Sequence, residues 1–349
     1  DDLNMLADIN TAAGQAAIAE YLSEQVVDFS GPATFEKFSG GQSNPTYKVT
    51  TPTASYVLRS QPSGKLLPSA HAVDREYRVL KALGSTCVPV PRALHLCTHL
   101  DITGAQFYLM EFLDGTIHWD AALKDATDNS QRGRIYQQMT DVLVAIHSID
   151  LEAAGLSDYG KPGNYFARQL QRWTQQYSES QTRTIAEMDQ LAEWLLANEP
   201  EDDGRISLVH GDYRLDNLML SKDNEKILAV LDWELSTLGH PFADLAYLCM
   251  NRRLPSVAAT ANSMTGLGGI DPDSLGIPSE AEVIADYCRQ MGIAGIDNWA
   301  FYLRFSFFRL AAICQGVAKR AIDGNASSKH ASSVGDLVQP LATMALTIK

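Results

Sequence analysis

Three carboxylate or amide side chains, Asp212, Asp216 and Asn217, crowd into six positions of the stretch Leu208-Val209-His210-Gly211-Asp212-Tyr213-Arg214-Leu215-Asp216-Asn217-Leu218-Met219-Leu220. Apolar runs flank the polar centre, so it sits on a turn anchored at both ends. Carboxylates brought this close repel one another unless ligands or partners hold them. A second apolar run, Ile227–Leu231, delivers Asp232 shortly afterwards. Phosphoryl transfer calls for such a set. One carboxylate orients the acceptor hydroxyl and takes its proton. An amide and another carboxylate, both hard oxygen donors, hold Mg²⁺ on the nucleotide phosphates. The plainer alternative is that Asp212 and Asn217 only form a turn between two strands. Their spacing, with Asp232 behind the next strand, favours the chemical reading.

The elements around this loop follow from hydrophobic period. Residues 11–27 repeat apolar side chains at helical spacing. Strands are expected at Ala33–Phe38, Thr46–Thr50, Ser55–Arg59 and Phe107–Glu111. A turn-rich stretch, Ser39-Gly40-Gly41-Gln42-Ser43-Asn44-Pro45, separates the first two. Ser69 is expected to cap a helix reaching Leu83, whose face carries Ala72, Glu76, Val79, Leu80 and Leu83. A carboxylate on an apolar face needs a partner, because a lone buried charge is costly. Beyond Gly115 the pattern becomes helical, near 131–149, 164–177, 183–197, 279–291 and 297–323, interrupted by a β-rich Ile206–Asp232. This is an α+β chain, with a helical segment at 1–28, a small β-rich lobe at 29–112 and a larger, mainly helical lobe at 113–349.

The motif H-G-D-x-x-x-x-N at His210–Asn217, followed by Leu231-Asp232-Trp233-Glu234, resembles the aminoglycoside phosphotransferase and choline kinase superfamily, whose members share the bilobal protein-kinase fold. The resemblance implies ATP and Mg²⁺ as cofactors, Asp212 as catalytic base, and Asn217 and Asp232 as metal ligands. Arg214 stands where kinases place a cation on the transferred phosphate; the alternative is a surface arginine paired with Asp216. Gly239-His240-Pro241-Phe242-Ala243-Asp244-Leu245-Ala246-Tyr247 is similar to the family's G-D-P-x-x-D-L-A segment, with His240 in place of the usual Asp. It implies that Asp244, with His210, braces the loop. In the nucleotide half, Gly40, Gly41, Ser43 and Asn44 resemble a phosphate-covering loop, whose glycines let backbone N–H groups approach phosphates. Arg59 takes the place of the kinase lysine and Glu76 that of its carboxylate partner; a guanidinium still grips phosphate through two parallel hydrogen bonds. Met110 is expected to line the adenine pocket, with the backbone of Glu111 and Leu113 on the purine edge.

Two further segments, Phe38–Tyr47 with Leu66–His71 and Phe305–Gly316 with Gly324–Ser328, are similar to kinase-like domains fused to acyl-CoA dehydrogenases. No dehydrogenase region accompanies them, so the free-standing form is expected. That branch implies a hydroxylated acyl thioester or fatty-acid derivative as acceptor. Arg252, Arg253, Arg304, Arg309, Lys319 and Arg320 are candidate cations for its phosphates, and Thr260–Ile277 is a candidate lid, an ordinary loop being the simpler view. Arg309, among Phe305, Phe308 and Ala312, is expected to be buried and paired.

Composition narrows the field. A formal net charge of −14 disfavours nonspecific binding to nucleic acid or anionic membranes. No apolar run reaches membrane-spanning length. Five dispersed cysteines without a C-x-x-C fit reduced thiols, with Cys249 and Cys314 buried, in a cytoplasmic protein. Three readings compete with a kinase of a small-molecule hydroxyl in this branch. They are an aminoglycoside or choline-like kinase, a protein kinase (disfavoured for want of an A-P-E segment), and a catalytically silent nucleotide-binding protein.

Overall fold

Short apolar runs punctuated by Gly, Pro, Asn and Asp make the first third of the chain a sheet. The computed structural model describes residues 6–39, 44–62, 71–257, 265–323 and 331–349. The chain divides into two units, Asp1–Gly115 with Leu228–Leu235, and Thr116–Ile227 with Ser236–Lys349. The expected cap Ser69 and the loop residues Gly40, Gly41 and Ser43 lie outside the described residues, as do the segments 66–70 and 324–328 and part of the candidate lid.

The first unit contains α1 (Ala12–Gln25), β1 (Thr34–Lys37), β2 (Thr46–Thr50), β3 (Ser55–Ser60), α2 (Val73–Leu83), β4 (Ala93–Cys97), the short α3 (Leu100–Thr103) and β5 (Phe107–Glu111). Its five strands form an antiparallel sheet in the order β1-β2-β3-β5-β4. Side chains alternate across a strand with period two. Val49, Tyr56, Leu58, Phe107 and Leu109 therefore share one face, packed with Ile18 and Leu22 of α1. Each such buried side chain is worth roughly 2 kcal/mol. The same alternation sends Arg59 and its register partner Tyr108 to the opposite face, where α2 contacts β4 and β5. A slip of one residue would place Arg59 in the apolar layer, so the packing fixes the register. Helix α2 begins at Val73 rather than near Ser69; its N-cap, Ala72, makes no side-chain cap bond.

The second unit holds β6 (Thr116–Ile117), α4 (Asn129–His147), α5 (Tyr165–Ser180), α6 (Ala186–Ala197), β7 (Ser207–Val209), a 3₁₀ turn at Leu215–Asn217 and β8 (Leu218–Leu220). After β9 (Ile227–Val230), which carries the chain into the first unit, follow β10 (Thr237–Gly239), α7 (Phe242–Met250), α8 (Glu280–Met291), α9 (Trp299–Ile322), α10 (Ala331–Val334) and α11 (Val338–Leu346). Two short antiparallel pairs, β7 with β10 and β6 with β8, flank the polar loop between Val209 and Leu218. Helix α9 is the hub, touching α5, α6, α7, α10 and α11, and Phe301, Phe305, Phe307 and Phe308 are buried along it. Among the described residues no helix is long and apolar enough to cross a membrane. Cys97, Cys249, Cys288 and Cys314 are buried free thiols, and Cys87 is exposed.

Candidate active site

In the second unit the polar loop is held from below by one carboxylate. Asp244, on α7, is 1% exposed. Its Oδ2 accepts the His210 N–H at 2.8 Å and its Oδ1 accepts the Gly211 N–H at 2.9 Å. Gly211 has φ +88°, a conformation costly for any residue with a Cβ, and this turns two successive N–H groups toward one side chain. His147 Nε2 lies 3.1 Å from Asp244 Oδ2, and His147 Nδ1 lies 2.7 Å from the Tyr287 hydroxyl. A carboxylate only accepts, so Nε2 carries the proton and Tyr287 donates to Nδ1. Burial alone would raise the Asp244 pKa. The His147 hydrogen bond, the electrostatic interaction with the His147 and His210 rings and the Gly211 N–H together hold it below the usual range.

Above this brace the Asp212 carboxylate is gripped on both oxygens. The Tyr247 hydroxyl donates to Oδ1 at 2.7 Å, and Asn217 Nδ2 donates to Oδ2 at 2.9 Å and to the Asp212 carbonyl at 2.8 Å. The Asp212 N–H donates to His210 Nδ1 at 3.2 Å. Arg214 Nε stands 3.0 Å from Asp216 Oδ1 and 3.5 Å from Asp212 Oδ1. Thus His210, Asp212, Arg214, Asn217 and Asp244 come together as one cluster. Tyr247, unremarked in the sequence, belongs to it; helical spacing from Asp244 was the only signal, since i and i+3 share a helix face.

In the first unit a second cluster forms around Arg59. Its Nε lies 2.8 Å from Glu76 Oε2, and Nη1 donates to Thr46 Oγ1 at 3.3 Å. Nη2 reaches Asp232 Oδ1 at 3.4 Å and Glu234 Oε2 at 3.5 Å. Glu76 also accepts from Asn44 Nδ2 and the Tyr108 hydroxyl, each at 3.0 Å. The carboxylate on the apolar face of α2 has the partners its position demanded. Asp232 has φ +60°, a left-handed conformation that Asp tolerates at a cost of about 1 kcal/mol. Buried Trp233 anchors the turn by donating Nε1–H to the Val230 carbonyl at 3.0 Å. Met110, Glu111 and Leu113 lie partly buried at the end of β5. The Glu111 N–H donates to the Arg92 carbonyl at 3.0 Å.

Burial pushes the Glu76 carboxyl up to about 7, against the opposing pull of Arg59 and the Tyr108 hydrogen bond. The folded state then holds a proton that the unfolded chain has released. Stability is fully present below the unfolded pKa and is lost as pH rises through about 7. The loss should approach roughly 3 kcal/mol, and Glu76→Gln should remove that slope. Urea melts from acid to neutral pH compare the two proteins; parallel curves would mean that Glu76 stays ionised beside Arg59.

The donor chemistry suits a hard divalent cation. Asn217 Nδ2 is committed to Asp212, which leaves its amide oxygen as the available ligand atom. The Asp232 side chain is 36% exposed. Among the described residues no group of three or more His, Cys, Asp or Glu converges.

Known proteins resemble this chain at the level of family and fold. A family model described as the phosphotransferase enzyme family matches residues 34–278. Acyl-CoA dehydrogenase family member 10 of Mus musculus is 47% identical over 335 residues, covering 96% of this chain and 31% of its own length. Acyl-CoA dehydrogenase family member 11 of Rattus norvegicus is 39% identical over 337 residues, covering 95% of this chain and 43% of its own. The chain thus spans less than half the length of these relatives. A solved Ralstonia eutropha JMP134 protein, provisionally assigned as an aminoglycoside phosphotransferase, has a TM-score of 0.84 at 44% identity, covering 94% of this chain and 96% of its own. A thermostable mutant of the aminoglycoside phosphotransferase APH(4)-Ia, in ternary complex with AMP-PNP and hygromycin B, has a TM-score of 0.60 at 16% identity, covering 95% of this chain and 97% of its own. That second likeness is one of fold.

Proposed function

We propose a function for a chain that belongs to the phosphotransferase enzyme family: transfer of the γ-phosphoryl group of ATP to a hydroxyl of a small molecule, with Mg²⁺. The observation that carries it is the Asp212 carboxylate, positioned by Tyr247 and Asn217 on a loop whose backbone Asp244 locks. Asp212 orients the acceptor hydroxyl and takes its proton as the oxygen bonds to the γ-phosphorus; the bond to the β–γ bridging oxygen breaks and ADP leaves. Arg214 supplies positive charge to the transferring group. Asn217 and Asp232 would hold Mg²⁺, which when bound neutralises charge on the phosphate oxygens. The strained backbone at Asp232 and its contact with Arg59 support that role. Arg59, steadied by Glu76, would meet the nucleotide phosphates. Met110, the Glu111 carbonyl and the Leu113 N–H would receive the base, and Gly40, Gly41, Ser43 and Asn44 would cover the phosphates.

Relatives named as acyl-CoA dehydrogenase family members favour a hydroxyacyl-CoA-type acceptor over an antibiotic. The test is transfer of labelled phosphate from ATP to a panel of hydroxyacyl-CoA thioesters, free hydroxy acids, choline-like amino-alcohols and aminoglycosides. Transfer to the acyl compounds is expected. Transfer confined to amino-alcohols or aminoglycosides would overturn the acceptor class and leave the reaction standing; no transfer at all would overturn both.

A further inference from the structure

The second unit carries several arginines and lysines suited to bind anions, and most are already committed. Arg252 donates to the Pro278 carbonyl, and Arg253 pairs with Glu280 at 3.0 Å. Arg304 donates to the Ile348 carbonyl, Lys319 pairs with Asp323 at 2.6 Å, and Arg320 is exposed at the end of α9. Most of the expected substrate cations are therefore already engaged by groups of the chain itself.

Arg309 differs. Expected to be buried and paired, it is only partly buried, and among the described residues its guanidinium meets no carboxylate within ion-pairing distance and makes no hydrogen bond. Its Cζ instead lies 5.3 Å from the Tyr247 ring centroid and 5.6 Å from that of Trp173. Helix α9 presents it between α5 and α7, both of which pack on α9. Tyr247 is the ring whose hydroxyl holds Asp212, so the guanidinium and the proposed catalytic carboxylate share one tyrosine as neighbour. Aromatic faces steady a guanidinium without using its N–H donors. The result is a preorganised fork that matches carboxylate or phosphate oxygens.

We propose that Arg309 is the anion-recognising residue of the acceptor site, and that the acceptor carries a carboxylate or phosphate group besides the hydroxyl that receives the phosphoryl group. The proposal rests on the phosphotransferase reading above and gives its acceptor a charge. A cationic amino-sugar would meet repulsion at this position.

Titration calorimetry on the full chain tests it without requiring turnover. The probes are short ω-hydroxy acids, the α,ω-diols of equal length, and coenzyme A, with wild type, Arg309→Gln and Arg309→Lys. Wild type should bind at least one anionic probe better than its neutral counterpart. Arg309→Gln should lose about tenfold to a hundredfold in that affinity while the diols are unmoved. Arg309→Lys should fall between, keeping charge without the fork; it carries the comparison if the Gln variant does not fold. Arg309-dependent binding of coenzyme A alone assigns the anion to a phosphate, and of hydroxy acids alone to a carboxylate. Absence of any anion preference in wild type, or a preference that survives both substitutions, overturns the proposal. Anion binding that depends on Arg309 without phosphoryl transfer would instead count against the phosphotransferase reading.

Discussion

Asp212→Asn should cut phosphoryl transfer by about 10³-fold, within the range general-base catalysis contributes, with little change in stability. The substitution removes the proton acceptor and keeps the shape. Asn217 Nδ2 and the Tyr247 hydroxyl both donate to Asp212. The new amide can turn its oxygen to Asn217, while its NH₂ faces Tyr247, whose hydroxyl rotates to accept. Asp212→Ala is a harsher change, because it strands a buried tyrosine hydroxyl and costs about 1–3 kcal/mol. The Asn variant therefore isolates the chemistry. Transfer rate at saturating ATP, ATP affinity and melting temperature are measured on both proteins. A variant that keeps more than a tenth of the wild-type rate with normal ATP binding would remove Asp212 from the role of base.

The geometry of the polar loop was legible in the sequence because it depends on residues close together in the chain. Asp212 and Asn217 are five apart, so spacing alone brings amide and carboxylate onto one turn. Glu76 was legible for another reason: a carboxylate on an apolar helix face must find a cation, and the alternation of β3 placed Arg59 on the facing side. Tyr247 was hidden. Its hydroxyl meets Asp212 across 35 residues, and nothing in a helical Tyr says whether it points to a core or to a site. Helix α7 gives no helical signal in the sequence, because its nine residues are buried all round and show no polar stripe to mark the period.

The arginines show the limit from the opposite direction. Arg253 and Glu280, like Lys319 and Asp323, pair as ordinary surface ions. Arg309 looked equally ready for a carboxylate and has aromatic rings instead. Sequence composition reports how many cations exist, and only packing reports which are spent. Helix α11 was missed because Pro340 lies inside it; the proline is its third residue, where a missing N–H costs nothing because the first turn's donors are unpaired anyway.

Asp244→Asn should destabilise the protein by about 3 kcal/mol and lower kcat at least tenfold, although Asp244 touches no reacting atom in the proposed mechanism. Its two oxygens accept the His210 and Gly211 N–H groups and the His147 ring N–H. An asparagine has one acceptor oxygen there, so at least one buried backbone donor meets an NH₂ group and is left unpaired. Losing a charge-assisted hydrogen bond and stranding its donor costs about 1.5–3 kcal/mol, and the bonds that remain from His210 and His147 lose their charge assistance. Gly211 is held at φ +88° by this brace; once released, it lets Asp212, the next residue, drift from the acceptor hydroxyl. KM for ATP should move far less than kcat, a split that general unfolding would not produce. The pH dependence adds a separate check. The Asp244 pKa is depressed in the folded state, so its contribution is present above the ordinary carboxylate range and is lost as pH falls through the folded value. The stability gap between wild type and Asp244→Asn should therefore be widest near neutrality and close in acid. A gap that stays constant with pH would show that Asp244 braces the loop by shape rather than by charge.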